Sequence, residues 1–347
     1  MLKLSLFVVS ITVSAEKVKK IIASLAIKKS KNLSFVDERA VKVAAVAYKT
    51  KRYKSLAAYI ADINEYLADA VQKGAQIIAF PELISLPVLS AVPFSRSFLS
   101  LANPAEADTL RNNVVKYYSD FLLEVHINVF GALAEAWGVY VMAGSCYVAE
   151  VSVFYNRGLL FDPRGKLVLT QDKTFLSDYE SENGFAEAAE ITGIPLGLGD
   201  LPQTAILLGE EELFFEPFEI ARRSGARLVL VGSALAKQHE MQNAVVFRAS
   251  ESQLYCVKSC QTGVDVFGQQ MGGVSGVFGP QGGKYSGNVN VQCDEEEKTV
   301  VARLDFLKLG DSLNQYNSDY NPDITAKYAA LMDSMRQKKT RSLADLL

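Results

Sequence analysis

The order strand, amphipathic helix, glycine, buried strand is written into this chain twice, and no other feature narrows its fold as far. In the first copy Val41 to Tyr48 is a β-rich run, after which Leu56, Ile60, Ile63, Leu67 and Val71 recur at spacings of four, three, four and four, one face of a helix. Gly74 stands where a C-cap glycine would end that helix, and Ala75 to Phe80 is the continuous apolar run of a strand covered on both faces. The second copy is a strand at Thr204 to Leu208, a helix at Leu213 to Ser224, Gly225-Ala226 as the cap and a buried strand at Arg227 to Val231. The chain therefore reads as two related halves.

Each half also carries a hairpin. Asn156 to Leu169 reads as two strands joined through Asp162-Pro163-Arg164-Gly165, with Pro and Gly where a tight turn wants them, and Gly276 to Gly283 echoes it. Hairpins in both halves argue for mixed pairing and against a single doubly wound sheet. The expected fold is thus α/β, a four-layer α-β-β-α sandwich with two sheets face to face and helices outside. Asp108 to Trp137 is helical in pattern after the Asn103-Pro104 break, and Val139 to Ala143 returns to strand. No linker of low complexity follows Val41, so one domain is expected over residues 41–306, with extensions at 1–40 and 307–347.

Composition excludes several functions. With 347 residues, 49% hydrophobic and 22% charged, a core is easily built, while a net charge of −3 and no basic stripe among aromatics make nucleic acid an unexpected partner. His126 and His239 lie far apart with no second ligand at metal spacing, which leaves little for a zinc site or a Ser-His-Asp triad. His126 reads as a helix residue with a satisfied ring. Cys146, Cys256, Cys260 and Cys293 form no C-x-x-C pair, as expected of reduced thiols in a cytosolic protein.

The N-terminus qualifies that location. Lys3, the apolar run Leu4 to Val13 and Ser14-Ala15 have the layout of a short signal peptide. Glu16 to Lys31 sets Val18, Ile21, Ile22, Leu25 and Ile27 among six lysines, a basic amphipathic helix suited to a membrane surface, to a partner, or to the domain's own surface. Neither stretch is long enough to span a bilayer. The expected location is cytoplasmic, with peripheral membrane contact through residues 1–31 or, as the alternative, export.

Two pieces of chemistry stand out. Phe80-Pro81-Glu82-Leu83 puts a carboxylate at the end of an apolar run, where it needs a partner, and Asp172-Lys173-Thr174 supplies a cation just past the first hairpin. A glutamate as general base, a lysine as oxyanion stabiliser and a cysteine as nucleophile make a complete set for hydrolysing a carbon-nitrogen bond.

These motifs, with Tyr155-Asn156 leading to Phe161-Asp162-Pro163-Arg164-Gly165-Lys166, Phe214-Phe215-Glu216 before Gly225-Ala226, Gly232-Ser233-Ala234, and Arg248 to Gln253 followed by a strand and Gly263, resemble the nitrilase, or carbon-nitrogen hydrolase, superfamily. The match covers about residues 40 to 310 in family order. Phe-Pro-Glu-Leu alone is weak; the ordered set is strong. The resemblance implies the α-β-β-α sandwich, homo-oligomers paired through the helix after the nucleophile, no cofactor, and hydrolysis of nitriles, amides or carbamoyl compounds through a thioester. It makes Glu82 the general base and Lys173 the polarising lysine, with Glu180 as the further glutamate and Glu182 as its weaker alternative.

Counting back seven residues from Glu216 puts Gly209 at the nucleophile position and Glu211 at the family's Asp or Glu. Leu208-Gly209-Glu210-Glu211 holds no thiol, and no cysteine lies within fifty residues upstream. Glu210 or Glu212 as replacement would be neutralised by like-charged neighbours. Three readings follow. One is a catalytically degenerate member, a pseudoenzyme binding a small amide- or carboxylate-like ligand. Another is an active amidohydrolase, acting on an amide or nitrile through a displaced nucleophile such as Cys260, which stands where the family commonly has an asparagine; its plain alternative is a buried cysteine on the same strand face as Cys256. The third is a membrane-associated structural protein relying on the basic N-terminal helix. Leu213, Phe214, Phe215, Phe218 and Ile220 are more apolar than one buried stripe requires, so their helix is the expected homo-oligomer contact.

Overall fold

A computed structural model of the chain describes residues 14–25, 27–28, 39–92, 104–151, 153–195, 203–237, 244–280, 288–293 and 297–309, with positions 326, 327, 330 and 334. The signal-like run Leu4 to Val13, His239 and most of the C-terminal extension lie outside these residues. The basic amphipathic segment forms helix α1 (Ala15–Ser24), whose Val18 and Ile22 are buried in the domain's own core.

The first repeat folds as its periodicity predicts. Strand β1 (Val41–Lys49) leads to helix α2 (Leu56–Gln72), which begins where the Ser55 hydroxyl accepts the Ala58 N–H at 3.2 Å. Beyond it Gly74 takes φ +89, a left-handed turn that suits a residue without a Cβ, and the chain re-enters the sheet as β2 (Ile77–Ala79). Helix α3 (Pro104–Trp137) then delivers β3 (Tyr140–Glu150), parallel to β2. Strands β4 (Val153–Phe161) and β5 (Leu167–Asp172) follow antiparallel, and in their turn Asp162 Oδ1 accepts the N–H groups of Arg164 and Lys166, each at 2.9 Å.

The second half repeats the plan. After the short helix α4 (Asp178–Glu182) come β6 (Ile194–Pro195), β7 (Gln203–Leu208), helix α5 (Phe215–Arg223), β8 (Ala226–Ser233), helix α6 (Ala244–Glu251) and β9 (Tyr255–Val264), with β7, β8 and β9 parallel. β10 (Gln270–Met271), β11 (Gly276–Pro280), β12 (Asn288–Gln292) and β13 (Thr299–Leu304) complete the strands. The helix expected from Leu213 starts late. Gly209–Leu213 first makes a tight 3-10 turn and Phe214 is extended at φ −104, ψ 148, so regular helix begins at Phe215.

β1 changes partner along its length, and this joins the halves. Val41 to Val46 pair antiparallel with β13, whereas Ala47 to Lys49 pair parallel with Cys260 to Thr262 of β9. Two serines fasten the seam: Ser259 Oγ accepts the Val46 N–H at 3.0 Å and donates to Ala79 O at 2.6 Å, and Ser275 Oγ donates to Val46 O at 2.9 Å. The result is a mixed, nearly closed sheet in the order β5-β4-β3-β2-β1-β9-β8-β7-β6. Three apolar layers lie along it. One packs α1, α2 and α3 on the first half, one fills the space between the halves with residues such as Val43, Met142, Leu208 and Leu230, and one packs Phe218 of α5 and Val245 of α6 on the second half. Three cores between four layers make the α-β-β-α sandwich. No helix among the described residues is long and apolar enough to cross a membrane.

Candidate functional site

The ends of β2 and β5 bring Glu82 and Lys173 together. Both side chains are buried, with Lys173 Nζ 2.9 Å from Glu82 Oε1. The Glu82 main chain is held as well: its carbonyl accepts from Gln261 Nε2 at 2.6 Å, and the next N–H, that of Leu83, donates to Ser145 Oγ at 3.1 Å. Lys173 meets two further carboxylates, Glu180 Oε2 at 3.0 Å and Glu210 Oε2 at 2.5 Å. Asn156 ties the group from β4, its Nδ2 donating to Glu82 Oε1 at 2.7 Å and to Glu180 Oε1 at 2.6 Å. The Ala234 N–H reaches Glu82 Oε2 at 3.2 Å.

Of the two alternatives for the further glutamate, Glu180 is the one brought to the lysine; Glu182 is exposed on α4. Glu180 is fixed by a capping box in which the Ser177 N–H and hydroxyl both donate to Glu180 Oε2 at 2.9 Å. Gly209 begins the turn after β7 with φ +55. A Cβ built there would lie 2.6 Å from Lys173 Nζ and 2.7 Å from Glu82 Oε2, so the position aims straight at the ion pair. Glu211 is turned away from that pair into the backbone. It accepts the Leu208 N–H and the Thr174 N–H, each at 2.6 Å, and the Thr174 hydroxyl, which locks the turn to the loop carrying Lys173. Glu212 forms a buried ion pair with Lys258 of β9 at 2.9 Å.

Burial pushes the Glu82 carboxyl up to about 7, with Lys173 opposing and Glu210 and Glu180 adding to the rise. For Lys173 burial acts downward, but Glu180, Glu82 and Glu210 override it and hold the ammonium well above its ordinary value. Glu180 is also penalised by burial, yet Lys173 and the Ser177 N–H keep it below the usual carboxylate range. Burial raises Glu211 against the hydrogen bonds from Thr174 and Leu208. Glu82, Lys173, Asp178, Glu180 and Glu210 line a cavity of about 360 Å³.

This arrangement offers a carboxylate able to exchange a proton near neutrality beside a fixed positive charge, open to a small molecule. A thiol is missing from it: none of the four cysteines is among the described residues lining the cavity. Cys260 is buried in β9. Side chains alternate along a strand, so it points away from Gln261, whose amide reaches Glu82. Cys256, four residues before it on the same face, belongs to the core under α5 and α6, and burial pushes its thiol up.

His126 is a buried residue of α3 whose Nδ1 meets the Ser85 hydroxyl, and burial lowers its pKa to about 3. It is a neutral structural ring. The sequence reading gave no role to Asn156 or Gln261. For Glu180 the Ser177-x-x-Glu180 spacing was a usable local signal, whereas the reach of Gln261 to Glu82 comes from two strands adjacent only in space.

The family model for carbon-nitrogen hydrolases matches residues 42–311. Among solved structures, a mutant amidase of the nitrilase superfamily from Nesterenkonia AN1 is similar with a TM-score of 0.56 at 19% identity, covering 83% of this chain and 99% of that one. The carbon-nitrogen hydrolase of Helicobacter pylori G27 gives a TM-score of 0.61 at 13% identity, with 84% and 98% covered. Saccharomyces cerevisiae Nit3, of branch 10 of the nitrilase superfamily, gives 0.58 at 18% identity, with 85% and 99% covered. At such identities the likeness is one of fold. No curated protein sequence matches the chain.

Proposed function

Because the chain belongs to the carbon-nitrogen hydrolase family, we propose that it is a member that has kept the family's cavity and given up its covalent chemistry. In this reading it binds a small amide- or carboxylate-like ligand at the Glu82–Lys173 pair without forming a thioester. The observation that carries it is Gly209: the position aimed at the ion pair has no side chain to attack with. Glu82 then has no thiol to deprotonate, and Lys173 has no tetrahedral intermediate to stabilise. The displaced-nucleophile reading gains nothing from Cys260, which is buried and lines no part of the cavity.

The Nesterenkonia amidase supplies probes, since its active site cysteine takes up acrylamide by Michael addition and the acetamide moiety of fluoroacetamide. Treated with either compound, the purified protein is expected to be alkylated at most at the half-buried Cys293 and to release no ammonia from small amides or nitriles. Gly209→Cys should lose stability by about 1–3 kcal/mol, because its Cβ must push Lys173 and Glu82 aside at a positive φ. It should also gain an adduct mapped to position 209, and Lys173→Ala in that background should lose it. Ammonia release by the parent that disappears in Cys260→Ala would overturn the reading.

A further inference from the structure

Lys173 already holds a carboxylate on its cavity side. The three oxygens around its Nζ are Glu82 Oε1 at 2.9 Å, Glu180 Oε2 at 3.0 Å and Glu210 Oε2 at 2.5 Å. An ammonium has three protons to give, so this set leaves none for a ligand. The three carboxylates are not equivalent. Glu82 and Glu180 side chains are 4% and 1% exposed and are further bound by Asn156, whereas Glu210 is 27% exposed and lines the cavity. Its approach is linked to the missing side chain before it, since a Cβ at 209 would lie 2.6 Å from the same nitrogen.

We propose that Glu210 is a tethered occupant of the lysine's ligand position, a specificity-determining side chain that shuts out carboxylates and leaves the cavity to ligands bearing N–H donors. The proposal rests on the ligand-binding reading above and narrows it to the amide. An external carboxylate brings only acceptors to a wall that already holds Glu82, Asp178, Glu180 and Glu210. To reach Lys173 it must displace an internal rival present at an effective concentration of roughly millimolar or more. A primary amide avoids that contest, because its NH₂ group donates to the carboxylates already in place.

Calorimetric titration with matched pairs, acetamide against acetate through benzamide against benzoate, tests this on the full chain. The parent should prefer each amide to its carboxylate. In Glu210→Gln, carboxylate affinity should rise by about tenfold or more, the scale of one charge-assisted hydrogen bond. Asp178→Asn removes a charge from the same wall without freeing a lysine proton, and should shift carboxylate binding by no more than about twofold or threefold, as for a screened charge. Equal gains in the two variants would overturn the proposal in favour of a diffuse field, and no gain in Glu210→Gln would overturn it outright. If amides bind the parent while carboxylates ignore both substitutions, the proposal alone falls; if neither class binds any form, the ligand-binding reading falls with it.

Discussion

Glu82 carries a proton affinity that its free side chain would not have. Held at about 7 against an ordinary 4.5, it binds its proton more tightly folded than unfolded. Its contribution to stability is therefore complete below the unfolded value and is lost as pH rises through 7. Glu180 runs the other way: held low, it adds stability above the usual carboxylate range and loses it as pH falls. In urea unfolding at pH 5 and pH 8, Glu82→Gln should lack a parental decline on the order of 3 kcal/mol across that interval. A decline of the same size in the variant would assign it to another group. Glu82 and Lys173 were legible in the sequence because each follows a strand end within a short motif. Glu210 was not legible as a partner of Lys173, since that contact depends on an absent Cβ one residue earlier.

The turn Gly209–Leu213 is an element with almost no pattern of its own, three glutamates in a row, and its shape is imposed from outside. Glu211 ties it to Thr174, and Glu212 reaches Lys258 with side chains 0% and 5% exposed. Removing one partner strands a buried charge, so Lys258→Met should cost about 3–5 kcal/mol, and adding Glu212→Leu should recover most of it. Urea unfolding of the two single variants and the double variant measures this; additive losses would mean that the two residues do not act as a pair. Helix α2 and the β4–β5 hairpin could be read from residue spacing because their bonds are local. The 3-10 turn that shortens α5 and the placing of β13 beside β1 could not, because both are settled by distant residues.

At the scale of the molecule, two apolar surfaces foreseen from sequence have different fates. That of α1 is spent internally, with Val18 and Ile22 buried against the core shared with α2 and α3. On the other, Phe218 is buried while Phe214 and Ile220 remain 41% and 44% exposed. We propose that these two residues form the homo-oligomer contact. Ile220→Glu should then lower the mass found by light scattering at micromolar concentration without lowering the melting temperature of the subunit fold, and a parent that is already monomeric would refute it. The pairing of β1 with β13 has a consequence for how the protein is made. On the ribosome β1 emerges before every other strand, yet the edge running from Val41 to Val46 has no partner until Thr299 to Leu304 have been synthesised. Throughout elongation that edge is an unpaired template for another nascent chain. A product terminated before Thr299 would keep it uncovered permanently, and should be recovered with chaperones or in aggregates instead of as a smaller folded protein.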